Sequence, residues 1–141
     1  MSKLHRRSDC PISFALDVFG DKWSLLIIRD MLFEGKSSYN DFLNADEGIA
    51  TNVLTDRLRM LERRGIIKTA RDKQDARKRI YTLTERGLDL LPILVELTLW
   101  SAEHDPDAAP PDAFTKAARR DKSGLIRSLR RGIKNDRYYC A

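Results

Sequence analysis

Histidine and cysteine are scarce in this chain, and it has no long apolar run. His5 and His104 are the only histidines. Neither sits with the acids, bases or nucleophile that a catalytic pocket needs, and with Cys10 and Cys140 they lack the spacing of a metal site. No catalytic residue, metal ligand or cofactor is therefore expected. Cysteines near opposite ends of the chain form no disulfide framework, which suits a reducing compartment. No apolar stretch is long enough to cross a bilayer, so no membrane partner is expected. Lys3, Arg6 and Arg7 make the first residues basic. No apolar segment with a small-residue cleavage site follows them, so a signal peptide is not expected and a cytosolic location is.

What the chain has is charge: 26 Lys and Arg against 21 Asp and Glu, a formal net charge of +5. A basic excess favours polyanions through counterion release. It points to nucleic acid only when it lies on the right elements. The length, 141 residues, fits one domain with a short appendage. The break is expected at Asp105-Pro106, giving a domain over 1–104 and a linker with a basic helical tail over 105–141.

Punctuation divides the first hundred residues clearly. Pro11 suits the first position of a helix to Phe19, which Gly20 ends. Asp21 is placed to cap a second helix, about Lys22 to Glu34, apolar nearly all round and hence buried. Gly35 stops it. Ser37 or Ser38 caps a short third helix, Tyr39 to Asn44. After a loop, Thr51 is placed to cap a longer helix to Arg64, closed by Gly65. Two short runs, Ile66 to Ala70 and Ile80 to Leu83, flank a charged tip and read as a hairpin. Thr84 and Glu85 open a long helix to His104, which Pro92 should kink. The fold class is mainly α with a small β-hairpin, in the order of a winged helix-turn-helix, with additional helices at either end available for dimerisation.

In the Thr51 to Arg64 helix, Leu54, Leu58 and Leu61 form one apolar stripe. Asn52, Asp56, Arg59 and Arg63 project from the opposite side, with Thr55 on the flank. A helix lying in a major groove needs this division. Asn pairs with adenine, Arg with guanine, and Thr meets an edge or a methyl group. Near the start of such a helix, Asn52, Thr55, Asp56 and Arg59 are the base-facing candidates, Thr51 belongs to the same DNA-binding set, and Arg63 is placed for phosphate or an acidic neighbour. The plainer reading is an amphipathic surface helix in which Asp56 pairs with Arg59 or Arg63. Arg77, Lys78 and Arg79 at the hairpin tip could reach phosphates or a minor groove, or be merely solvated. Lys36, Ser37 and Ser38 precede the third helix, where free amides beside a Lys would suit a phosphate.

These motifs together resemble the HxlR-type winged helix-turn-helix regulators of bacteria. The resemblance rests on Cys10-Pro11, Gly20-Asp21-Lys22-Trp23, Leu25 to Arg29, Gly48 to Leu58, Leu61-Glu62 with Gly65-Ile66, and Tyr81 to Thr84 with Gly87 and Leu91-Pro92. It spans about Cys10 to His104. Family members often carry Arg-Phe where this chain has Ser38-Tyr39, and Ser where it has Ala50. The wing, Asp75 to Arg79, is closer to MarR-type wings. The resemblance does not reach the tail beyond Asp105.

The resemblance implies a dimeric transcription regulator that binds an inverted repeat in double-stranded DNA. The alternative is a winged helix used only for protein contacts, but that would show apolar anchors where Asn52, Asp56 and Arg59 stand. For the homodimer, Leu88, Leu91, Val95 and Ala102 form one stripe and Leu90, Leu94 and Leu97 another, with Leu99 and Trp100 adding apolar surface. A partner subunit would cover what one small domain leaves bare, unless the tail covers it. The resemblance adds the first helix, with Phe14, Leu16, Val18 and Phe19, to that interface. It also implies an oxidant or small electrophile as effector, sensed at Cys10. As the N-cap of the first helix, Cys10 sits where the helix end favours an anion, with Arg6 and Arg7 near in sequence to add to that, Asp9 opposing it, and Cys140 as a conceivable resolving thiol. The competing reading makes Cys10 a small buried apolar residue.

Overall fold

The computed structural model describes residues 7–108 and 110–139; Arg6 and Cys140 lie outside the described residues. Its elements are α1 (Pro11–Phe19), α2 (Ser24–Phe33), α3 (Tyr39–Leu43), α4 (Thr51–Arg63), β1 (Ile67–Arg71), β2 (Arg79–Leu83), α5 (Glu85–Leu88), α6 (Leu91–His104), a 3-10 turn (Pro106–Ala108) and α7 (Asp112–Lys134). The order is that of a winged helix. The hairpin is antiparallel, with Ile67 opposite Leu83, Thr69 opposite Tyr81 and Arg71 opposite Arg79. Ile28, Leu32, Phe42, Leu54, Leu61, Ile67, Leu91 and Val95 are fully buried and form the centre of the core. No helix among the described residues is long and apolar enough to cross a membrane.

Side-chain hydrogen bonds set the starts of α2, α3 and α5. The Asp21 carboxylate accepts from the N–H groups of Trp23 and Ser24, both at 3.0 Å, and from the Ser24 hydroxyl at 2.6 Å. It thus satisfies orphan donors at the start of α2. Burial pushes this carboxyl up, but the bonds from Ser24 and Trp23 and the charge of Arg57 outweigh it and hold it below the usual carboxylate range. Ser38, rather than Ser37, caps α3 in a capping box with Asp41.

Two expectations fail locally. Thr51 does not cap α4. The N-cap is Ala50, which offers no side-chain bond, and its carbonyl already accepts the first helical bond from Leu54 at 2.9 Å. Thr51 is thereby drawn inside the helix. The long helix expected from Thr84 to His104 is broken rather than kinked. The ring of Pro92 clashes with the carbonyl four residues back and its nitrogen has no hydrogen to donate. The chain therefore closes α5 at Leu88 and restarts with Pro92 in the first turn of α6, where proline is tolerated.

The tail is docked. α7 bends at Asp121, whose backbone is extended and whose carboxylate accepts from Gly124 N–H at 3.0 Å, capping the second half. Phe114 and Ala118 are buried, and Leu125, Ile126, Leu129 and Ile133 pack against the core. Arg130 reaches Glu85 at 2.6 Å and Asp89 at 3.0 Å, and Lys122 reaches Glu96. Leu90 and Leu94 of the second stripe are thus covered within the chain, while Ile93, Leu97 and Trp100 stay exposed.

Candidate nucleic-acid interface

α4 divides as its sequence predicts. Leu54, Leu58 and Leu61 are buried, whereas Thr51, Asn52, Asp56, Arg59 and Arg63 are exposed. Thr51, Asn52, Thr55, Asp56 and Arg59 line an open concavity of about 450 Å³ along the outer face. Asp56 pairs with neither Arg59 nor Arg63. Its carboxylate lies 2.8 Å from Arg57 Nη2, and Arg57 also reaches Asp21 at 3.5 Å. The guanidinium groups of Arg59 and Arg63 have no ion-pair or hydrogen-bond partner among the described residues. Thr55 is half-buried. Its hydroxyl lies 3.2 Å from the Tyr39 hydroxyl, which also lies 3.0 Å from the Thr51 carbonyl. Tyr39 therefore sets the start of α4 against α3. Sequence reasoning misses this role of Tyr39, since partners twelve and sixteen residues away leave no local trace.

The segment before α3 departs from expectation. Its amides are not free: the N–H groups of Ser37 and Ser38 lie 3.4 and 3.3 Å from the Asp41 carboxylate. Ser38 is buried, and its hydroxyl accepts from Asp41 N–H at 3.2 Å. Burial pushes the Asp41 carboxyl up, but its bonds from the Ser38 hydroxyl and these amides hold it below the usual range, as an ionised acceptor. The Lys36 ammonium is 2.9 Å from Glu34 and 3.7 Å from Asp30. Its hydrogen bond to Glu34 raises its pKa and keeps it charged.

Arg77, Lys78 and Arg79 are all exposed on the wing. Asp72 N–H donates to the Lys78 carbonyl at 2.8 Å and Lys78 N–H to the Asp75 carbonyl at 2.9 Å, closing the tip, while Arg77 is loosely paired with Asp75 at 3.3 Å. Tyr81 N–H donates to the Ser37 carbonyl at 2.8 Å. That bond ties the wing to the segment preceding α3, so three regions far apart in sequence share one edge of the molecule. An ion-pair network built on one buried carboxylate adjoins this edge through Lys36. The Asp30 carboxylate, almost fully buried, accepts from Arg29 Nε at 3.0 Å and Nη2 at 2.8 Å, and Arg29 also reaches Glu47 in the turn before α4. Burial pushes Asp30 up, whereas the Arg29 guanidinium draws the Glu47 carboxyl down to about 2.

Comparison with known proteins agrees with this geometry. The family model described as HxlR-like helix-turn-helix matches residues 18–108. The chain belongs to the HxlR-like helix-turn-helix family. Among its curated relatives, the uncharacterized HTH-type transcriptional regulator sll1512 of Synechocystis is 38% identical over 62% of this chain and 64% of its own length. The corresponding regulator YdeP of Bacillus subtilis is 32% identical over 77% of this chain and 84% of its own. Both bear the name of transcriptional regulators.

Solved structures give the same fold for this HxlR-like chain. PA1607 superposes with a TM-score of 0.66 at 35% identity, covering 77% of this chain and 72% of that one. The redox regulator HypR in its oxidized form gives 0.60 at 35%, covering 67% and 96%. Quinone-bound YodB from B. subtilis gives 0.53 at 27%, covering 67% and 98%. Cys10 in this chain is exposed and stands at the N-cap of α1, its carbonyl accepting from Phe14 N–H at 3.0 Å. The reading of Cys10 as a buried apolar residue is therefore wrong. The Arg7 guanidinium is held by Asp17 at 2.7 Å.

Proposed function

We propose that this protein is a homodimeric transcription regulator that reads an inverted-repeat operator in double-stranded DNA with α4. The observation that carries the reading is the split of α4: a leucine stripe buried in the core, and Asn52, Asp56 and Arg59 turned outward around an open concavity with no apolar anchor among them. Two such helices related by a two-fold axis enter successive major grooves about 34 Å apart. The wing residues Arg77, Lys78 and Arg79 then lie against the flanking backbone. Support for the dimer comes from apolar side chains left exposed outside the reading head, Ile12 and Leu16 on α1 and Ile93, Leu97 and Trp100 on α6. Support for an effector comes from the exposed Cys10 thiol at the start of α1, together with structural likeness to a redox regulator and to a quinone-bound one. Peroxide would oxidise such a thiol to a sulfenic acid, and a quinone would be attacked by its thiolate.

The test is binding to duplex DNA at low salt, followed by selection of a preferred site from genomic fragments. Arg59→Ala is expected to weaken the selected site relative to random duplex by about 1–3 kcal/mol. Arg77→Ala is expected to weaken both alike and to lower the salt slope by about one unit. No binding to any duplex would end the reading. Equal loss on both duplexes for Arg59→Ala would end the division into base and phosphate contacts.

A further inference from the structure

The winged-helix body is acidic, and the appendage behind it is not. Residues 7–111 hold 15 Lys and Arg against 18 Asp and Glu; residues 112–139 hold nine against three. The charge that would draw this chain to a polyanion thus resides largely in α7 and the residues after it, outside the family's matched region.

Those basic residues fall into two sets. Lys122, Arg130 and Lys134 pair with Glu96, Glu85 and Asp89 and fasten α7 to α5 and α6. Arg127, Arg131 and Arg137 are exposed and have no side-chain partner among the described residues. Arg127 and Arg131 stand seven and three positions before Lys134, so the three share one face of the helix. Lys134 and Tyr138 line an open cleft of about 640 Å³ together with Lys36, Ser37 and Tyr81. Tyr138 lies so close over Gly35, a left-handed residue at φ +67°, that a Cβ there would meet its ring at 2.6 Å. The end of the appendage is therefore seated on the turn that leads into Lys36 and Ser37, beside the edge formed by the wing and α3. The helix is also held in place before any ligand arrives, by the Asp121 cap and the packing of Leu125, Leu129 and Ile133.

From this placement we infer that Arg127, Arg131 and Arg137 form a second phosphate-binding site for duplex DNA, which extends the interface of α4 and the wing along the backbone. The inference rests on the DNA-binding reading above. It accounts for how an acidic reading domain would hold a polyanion.

The experiment compares the full-length protein with R127Q/R131Q/R137Q on a random-sequence duplex of about three helical turns, with affinity measured between about 50 and 200 mM salt. A second triple variant, K116Q/R119Q/R120Q, removes the same charge from the first half of α7. Each lost phosphate contact lowers the slope of log affinity against log salt by about 0.9. The first variant should therefore lose two to three units of slope per protomer and bind at least about tenfold more weakly at the low-salt end, with an unchanged melting temperature. The second should stay close to wild type. An unchanged slope in the first variant, or an equal fall in both, overturns the inference and leaves the DNA-binding reading standing. If the wild type binds no duplex even at the lowest salt, both fall together.

Discussion

Glu47 and Cys10 are single residues whose surroundings make opposite predictions about chemistry. The Arg29 guanidinium holds the Glu47 carboxyl at about 2 against its usual 4.5. A carboxyl depressed in the folded state stabilises the fold above its unfolded pKa, and that stabilisation is lost as pH falls through the folded value. Acidification from about pH 4.5 to 2 should therefore cost the wild type more stability than Glu47→Gln. Because the Glu47 side chain is about a third exposed, the substitution should cost only about 0.2–1 kcal/mol at pH 7. Urea titrations at several pH values check this; parallel pH profiles for the two proteins would show that the ion pair contributes nothing. Cys10 is exposed, so the prediction there concerns reactivity rather than folding. Peroxide, diamide or a quinone should change the DNA affinity of the wild type at least several-fold and leave Cys10→Ser unaffected. Binding assays before and after treatment decide it, and equal losses in both proteins would place the switch elsewhere.

Among the elements, the joint between α4, the wing and α5 is held by side-chain and backbone hydrogen bonds together. The Thr84 hydroxyl lies 2.5 Å from the Gly65 carbonyl and 3.1 Å from that of Ile66, and it accepts from Gly87 N–H at 3.2 Å. One side chain thus caps α5 and ties it to the exit of α4. Gly87 is required beside it, since a Cβ there would stand 2.3 Å from the Ile66 carbonyl. Thr84→Ala removes the cap and leaves a part-buried carbonyl short of a donor, at a cost of about 1–2 kcal/mol. For a domain of this size the melting temperature should fall by roughly 2–6 °C, and Thr84→Ser should recover most of it. A melt of Thr84→Ala within 1 °C or so of wild type would show that the joint is held by packing alone. The winged-helix order of these elements was readable because each is bounded by local punctuation. Pro11, Asp21, Gly35 and Gly65 act through backbone geometry and caps that need no distant partner. The break at Pro92 was misread as a kink because proline's local effect is the same in both cases, and the choice depends on whether the restarted helix finds a surface to pack on.

For the whole molecule, the decisive quantity is the apolar surface the chain leaves uncovered. Leu97 is 46% and Trp100 65% exposed on α6. A glutamate at either position costs the folded protomer little but would be buried in a dimer without a partner. Each large apolar side chain buried there contributes about 1.5–3 kcal/mol. Leu97→Glu and Trp100→Glu should therefore sediment as monomers at micromolar concentration under conditions where the wild type is dimeric, and should lose affinity for an inverted repeat far more than for a half-site. A monomeric wild type would remove the basis of the two-fold operator.

The sequence by itself determined the helix and strand order, the buried stripe of α4, the outward placement of Asn52, Asp56 and Arg59, and the N-cap position of Cys10, because periodicity and capping act over a few residues. Tertiary structure alone decided the rest. It chose Arg57 over Arg59 as the partner of Asp56, set Tyr39 against Thr55, turned the amides before α3 onto Asp41, and brought Arg130 to Glu85 across 45 positions. It also divided the leucines of α5 and α6 between the tail and open solvent. An apolar stripe states that a face must be buried, but what covers it depends on which distant surface arrives there when the chain closes.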